Sequence, residues 1–270
     1  MFDSTHWGAS QSNCTVRLEV TEFGDPTVHA SETTVPIKNM TKQYEAKFNS
    51  PWPAASAVVA QKMGAMGYPT HTHTKDGWTR SQFLAEMQEA SHEYYHGHGS
   101  ASPAFQDDSA SGLPIYPADV QAYRLGQMGT GLPPFNSTGQ PPIAFAFIHA
   151  CCAATDNSFN VFNLPYANHY GGWMEDQIFT GFAAEPFAKD GADIADMYYA
   201  ELSMGKTAQQ ARTKLIASGQ FQVGLPGSSG EVPLDFPHMP IWGDRITKLK
   251  GVYSPFPLAN ALQFSRVLQG

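Results

Sequence analysis

The chain reads as an α/β sandwich, a mostly parallel sheet with helices on both faces and a β-rich segment in front. Three observations carry that reading. Ile143 to Ile148 is uniformly apolar, as expected of a central parallel strand covered on both faces. Ala192 to Ala217 repeats apolar residues at helical spacing. After residue 54, strand-like and helix-like stretches alternate, the order that builds parallel sheets. With 270 residues, 42% of them hydrophobic, the chain is long enough to bury a sizeable core.

The elements follow in order. In residues 14–48, Val16, Leu18 and Val20 alternate with Arg17 and Glu19, and Gly24-Asp25-Pro26 signals a turn. This predicts a hairpin or small meander and sets the expected domain division: a β-rich segment over 1–50 and an α/β domain over 51–270. Ala57 to Ala60 reads as a short buried strand leading into a helical turn or two. His71 and His73 alternate with Thr70, Thr72 and Thr74 in what reads as a solvated polar linker, a metal role being the alternative. Thr79 is an N-cap candidate with Gln82 at the capping-box position, and Phe83, Leu84 and Met87 give a helical stripe behind it. Residues 99–142 are rich in Gly, Pro, Ser and Asp and predict a long loop region. Ile178 to Phe182 reads as another strand. In the segment from Ala192 to Ala217, Gly205 is a candidate break, and Gly219 is well placed as a stop.

Composition excludes several classes. The net charge is −8 and no stretch is rich in Lys or Arg, so no nucleic acid partner is expected, since binding one needs a basic face. No apolar run approaches the roughly 20 residues that span a bilayer, so no membrane span is expected. The N-terminus carries neither a basic n-region nor an apolar h-region, so no signal peptide is read. The compartment stays open between cytoplasm and export with a signal removed. Three cysteines, Cys14, Cys151 and Cys152, do not make a disulfide framework.

Two constellations bear on chemistry. Tyr94-Tyr95-His96-Gly97-His98-Gly99-Ser100 holds a histidine on a glycine-flanked loop, and the strand Ile143 to Ile148 runs into His149-Ala150-Cys151-Cys152. A cysteine nucleophile needs a nearby base, because a free thiol is mostly protonated at neutral pH. A cysteine at the end of a buried parallel strand also sits where open α/β sheets hold ligands. The same cysteine equally suits a purely structural role as a small apolar residue.

Gly97-His98-Gly99-Ser100 and Ala150-Cys151 resemble the two signature blocks of caspase-like cysteine peptidases, in the gingipain and CHAT-type branches, and occur in the same order. Glu175 ahead of Phe179 to Phe182, the helix that ends near Gly205, and Trp242-Gly243-Asp244-Arg245 are weaker similarities, so the resemblance runs over about residues 55–250. It implies a three-layer caspase-like sandwich and a cysteine endopeptidase acting on a peptide or protein. In that reading His98 is the general acid/base, Cys151 the nucleophile and Gly99 an oxyanion donor. Cys152 is the alternative nucleophile, and no cofactor is required. Two other readings stand beside it. His92-Glu93-Tyr94-Tyr95-His96 matches H-E-x-x-H, which on a helix would bind zinc through His92 and His96 with Glu93 as base. The domain would otherwise be a non-catalytic caspase-like binding module.

Overall fold

A computed structural model describes residues 13–21, 28–36, 40–46, 54–86, 90–100, 105–116, 118–119, 145–154 and 178–243. Strands β1 (Asn13–Thr21) and β2 (Val28–Pro36) pair antiparallel as a sheet of their own. Strand β3 (Met40–Glu45) belongs elsewhere. It is an interior strand of the central sheet, although it falls within the N-terminal segment that the sequence sets apart at residue 50.

The central sheet has six strands. β3 lies between β4 (Thr70–Thr74) and β5 (Ala90–His96); β8 (Phe145–His149) and β9 (Ile178–Gly181) follow, and β13 (Ile241–Gly243) closes the far edge. The first five strands run parallel and β13 runs antiparallel to β9. The architecture is therefore α/β with a mostly parallel sheet. Short strands complete the inventory: a hairpin of β6 (Phe105–Gln106) and β7 (Pro114–Ile115), and a small antiparallel sheet of β10 (Glu185–Pro186), β11 (Gln222–Gly224) and β12 (Glu231–Pro233).

Helix α1 (Ala55–Ala65) connects β3 to β4, and α2 (Arg80–Glu86) connects β4 to β5. The first crossover moves one way along the sheet and the second moves back past β3. Right-handed crossovers then put the two helices on opposite faces. The cores agree. One holds Ala55, Val59 and Met63 of α1 against Tyr94, Phe147 and Tyr199; the other holds Phe83 and Leu84 of α2 against Tyr44, Tyr95 and Ile148. The run Ala57 to Ala60 is thus helix, not strand. A short apolar run has no periodicity to decide between the two, and here only Val59 of the run joins Ala55, Ser56 and Met63 on the buried face of the helix.

The helical segment near the C-terminus is two helices, α3 (Gly191–Ser203) and α4 (Ala208–Ala217). Gly205 separates them with φ +76°, a conformation that costs glycine little. Thr207 then starts α4 with a capping box shared with Gln210. The Thr79–Gln82 box forms as well: Thr79 N donates to Gln82 Oε1 at 2.8 Å and Gln82 N donates to Thr79 Oγ1 at 3.3 Å. No described helix is long and apolar enough to cross a membrane.

One polar cluster ties this face of the sheet together. Glu45 at the end of β3 is fully buried, and its Oε1 lies 3.0 Å from His96 Nδ1 at the end of β5. Its Oε2 accepts bonds from Ser56 N and Oγ, at 2.8 and 2.7 Å, in the first turn of α1. Burial alone pushes the Glu45 carboxyl up, but the hydrogen bond and charge of His96, with the Ser56 bonds, hold it below the usual carboxylate range. Its contribution to stability is therefore complete above the unfolded value of 4.5 and is lost as pH falls through the lower folded value. Removing the carboxylate leaves His96 Nδ1 and the two Ser56 donors without their buried acceptor, so Glu45→Ala should cost roughly 2–4 kcal/mol near neutral pH. Urea denaturation of the variant and the parent across pH should show that gap narrowing in acid.

Candidate active site

The two sequence blocks leave adjacent strands. β5 runs into Gly97-His98-Gly99 and β8 into Ala150-Cys151-Cys152. His96 and His149 are register partners, and Gly97 N still donates to His149 O at 3.2 Å beyond them. His98 and Cys151 thus each lie two residues past one register pair, at the carboxyl edge of the sheet.

The His98 loop is shaped by close packing. The Tyr95 hydroxyl bonds to His98 O at 2.7 Å and to Gln106 O at 2.9 Å. A Cβ on Gly97 would fall 2.7 Å from the Ala46 methyl and collide with the Tyr95 ring, so only glycine fits there. His98 itself is exposed, and Gly99 is half-buried in an isolated antiparallel bridge to Phe105. A cleft of about 240 Å³ opens beside it, lined by Ala46, His98 and residues 106–112. It sits over the ends of β3 and β5, where the strand order reverses and open α/β sheets bind their ligands. Asp107 and Asp108 shape its wall by accepting backbone bonds: Asp107 from Arg80 N and Leu113 N, Asp108 from Gly77 N.

The cysteine turn is held from the other side. Cys152 N donates to Ala184 O and Ala154 N to Phe182 O, both at 2.9 Å. Cys152 adopts φ +52°, an uncommon conformation for a residue with a side chain. Cys151 and Cys152 are both free thiols and half-buried. Burial pushes the Cys151 thiol up to about 11, with the charges of Glu185 and Cys152 adding to it. Burial and Glu185 push Cys152 up as well. Each thiol therefore rests protonated at neutral pH.

Beneath the loops, Glu45, His96 and His149 form one buried row across β3, β5 and β8. The two imidazole rings lie 4.6 Å apart between centroids. Burial, and then the neighbouring His96, hold His149 well below the usual histidine value, so it is neutral. A Cβ on Gly191 would fall 2.6 Å from His96 Nε2, so the first residue of α3 rests directly on that ring.

The helical zinc site does not form. Residues 90–96 are a strand, and α2 has already ended at Glu86. His92 and His96 are therefore about 13 Å apart along an extended chain, and Glu93 points to the opposite face. Each is accounted for otherwise: His92 Nε2 lies 3.0 Å from the Tyr199 hydroxyl, and His96 pairs with Glu45. Burial pushes His92 down to about 3 and Glu93 well up, so both are neutral.

Glu45 and the Tyr95 hydroxyl are contributors to which the motif reading gave no role. The available signal was a carboxylate ending the strand Met40–Glu45. Asp244, Arg245 and Glu175 lie outside the described residues. Comparison with known protein families and with curated proteins gives no match for this chain.

The thiol environment makes a kinetic prediction. Iodoacetamide should alkylate Cys151 slowly at pH 7, with a rate that keeps rising well above pH 9. Glu185→Gln removes a charge that disfavours the thiolate and should accelerate the reaction at pH 8 by roughly two- to fivefold, the effect of about 0.5–1 kcal/mol from one partly solvated charge. Peptide mapping of the alkylated native protein reads both.

Proposed function

We propose that this chain is a cysteine endopeptidase with a three-layer caspase-like sandwich, in which His98 and Cys151 cleave a peptide or protein substrate. One observation carries the reading: the ends of two adjacent parallel strands hold the histidine loop and the cysteine turn, beside a cleft at the reversal of strand order. The resemblance of the two blocks to caspase-like signatures supports it independently.

The chemistry follows from the residues. Cys151 Sγ attacks the scissile carbonyl as its proton passes to His98. His98 returns that proton to the departing amine as the C–N bond breaks, leaving a thioester on Cys151. Water, deprotonated by His98, then displaces the thiol and releases the acid. The N–H of Gly99 is the proposed donor to the oxyanion. The resting thiol is protonated, so His98 acts as a base during attack; a preformed ion pair is not required. The left-handed Cys152 supports Cys151 as nucleophile, because strained backbone clusters where a turn must present a neighbouring group.

The test is digestion of a peptide library by the purified chain, read by mass spectrometry. Cys151→Ala and His98→Ala should each lower kcat/KM by about 10³-fold or more. Cys152→Gly, which relieves the positive φ, should remain active and folded. Activity that survives Cys151→Ala but not Cys152→Gly would move the nucleophile by one residue. A folded parent protein that cleaves nothing in the library would sink the peptidase reading and favour a caspase-like binding domain.

A further inference from the structure

On the edge strand beside β3, a second polar cluster has no part in the proposed chemistry. His71 and His73 stand two residues apart on the edge strand β4, so both project from the same face. Glu86, the last residue of α2, meets them there. His73 Nε2 lies 3.1 Å from Glu86 Oε1, and His71 Nδ1 lies 3.7 Å from the same oxygen. All three ligand atoms fall within 4.8 Å of one another. Zinc bonds of 2.0–2.1 Å to imidazole nitrogen and carboxylate oxygen give tetrahedron edges of about 3.3–3.4 Å. The two measured edges bracket that value.

We propose that His71, His73 and Glu86 bind one zinc ion, with the fourth position open to water or an external ligand. The supporting shell is already in place. Asp76 Oδ2 lies 2.9 Å from His73 Nδ1, the carboxylate–histidine arrangement that orients a ligating imidazole. The Tyr44 hydroxyl donates to Glu86 Oε2 at 3.0 Å and stacks on the His73 ring, with centroids 5.4 Å apart. His73 is buried and Glu86 nearly so, while 47% of the His71 side chain is exposed and opens a path from solvent. Two nitrogens and one oxygen suit a borderline ion such as Zn²⁺ over Mg²⁺ or Ca²⁺, which take oxygen ligands.

One side chain competes. Lys42 Nζ lies 3.0 Å from His71 Nδ1 and 3.5 Å from Glu86 Oε2. Its ammonium neutralises Glu86 where the metal would. An alternative partner stands directly across β5: Glu93 is the register neighbour of Lys42, and neither carboxyl oxygen has a hydrogen-bond partner among the described residues. When zinc takes Glu86, Lys42 turns its hydrogen bonds to the Glu93 carboxyl. The ion then pins the edge strand β4 to the end of α2.

The test is a calorimetric titration of chelator-stripped full-length protein with Zn²⁺, with melting temperature as a second readout. One equivalent should bind and raise Tm. His71→Ala, at a half-exposed edge position where folding is little affected, should weaken binding at least about tenfold. Asp76→Asn should weaken it by a comparable factor. Lys42→Met removes the competing cation and should tighten it. Co²⁺ in place of zinc should give the visible absorption of a four-coordinate site in the parent and lose it in His71→Ala. The proposal is overturned if neither the parent nor Lys42→Met takes up stoichiometric zinc. It is equally overturned if uptake is unchanged in His71→Ala, which would put the ion on other histidines.

Discussion

The buried pair of Glu45 and His96 is the constraint on which the rest of the structure turns. Both groups lie out of water, where an unpaired charge is expensive, so each needs the other in a narrow geometry. That requirement fixes the ends of β3 and β5 relative to each other. The second oxygen of Glu45 satisfies the first turn of α1 through Ser56, so the same carboxylate sets where that helix begins. The far side of the His96 ring meets Gly191 with no room for a Cβ, so α3 also starts from this point. Two strands and two helices converge on one buried hydrogen-bonded pair at the carboxyl edge of the sheet.

This places two polar systems back to back. Side chains alternate along a strand, so the row Glu45, His96, His149 faces α1 and α3, while Tyr44 and Tyr95 face the other core. The lower row is buried. Above it, Tyr95 reaches round through its hydroxyl to hold the carbonyl of His98, and Gly97 lets the chain pass over that ring. The catalytic role proposed for His98 thus depends on a rigid histidine two residues earlier, although His96 faces away from the cleft.

The sequence made some of this legible. The uniformly apolar strand before Cys151 was readable because burial on both faces leaves no polar position. The capping box at Thr79 was readable because it is local chemistry. β5 was not. Its residues His92, Glu93 and His96 are polar yet buried, and what makes them tolerable, Tyr199 for His92 and Glu45 for His96, lies 107 and 51 residues away. Without those partners in view, the spacing of the two histidines fits a helical face as well as a strand face, which is why H-E-x-x-H suggested a metal site. The reverse holds at His71 and His73. Alternation with threonine looks like a solvated stretch, and only the fold brings Glu86 and Lys42 to them.

The raised thiol of Cys151 bears on how the proposed reaction would run. With a value of about 11, only about one molecule in ten thousand holds the thiolate at pH 7. A resting ion pair with histidine would have required a cation near the sulfur; the neighbouring charge is that of Glu185, which acts the other way. In the proposed reaction the nucleophile would then be generated only as it attacks, with His98 accepting the proton and the developing charge moving onto the substrate oxygen. Such a site would react slowly with small electrophiles near neutral pH and respond to a substrate that brings its carbonyl between the two loops. Its selectivity would come from the cleft that aligns the peptide, because the sulfur alone is a poor nucleophile.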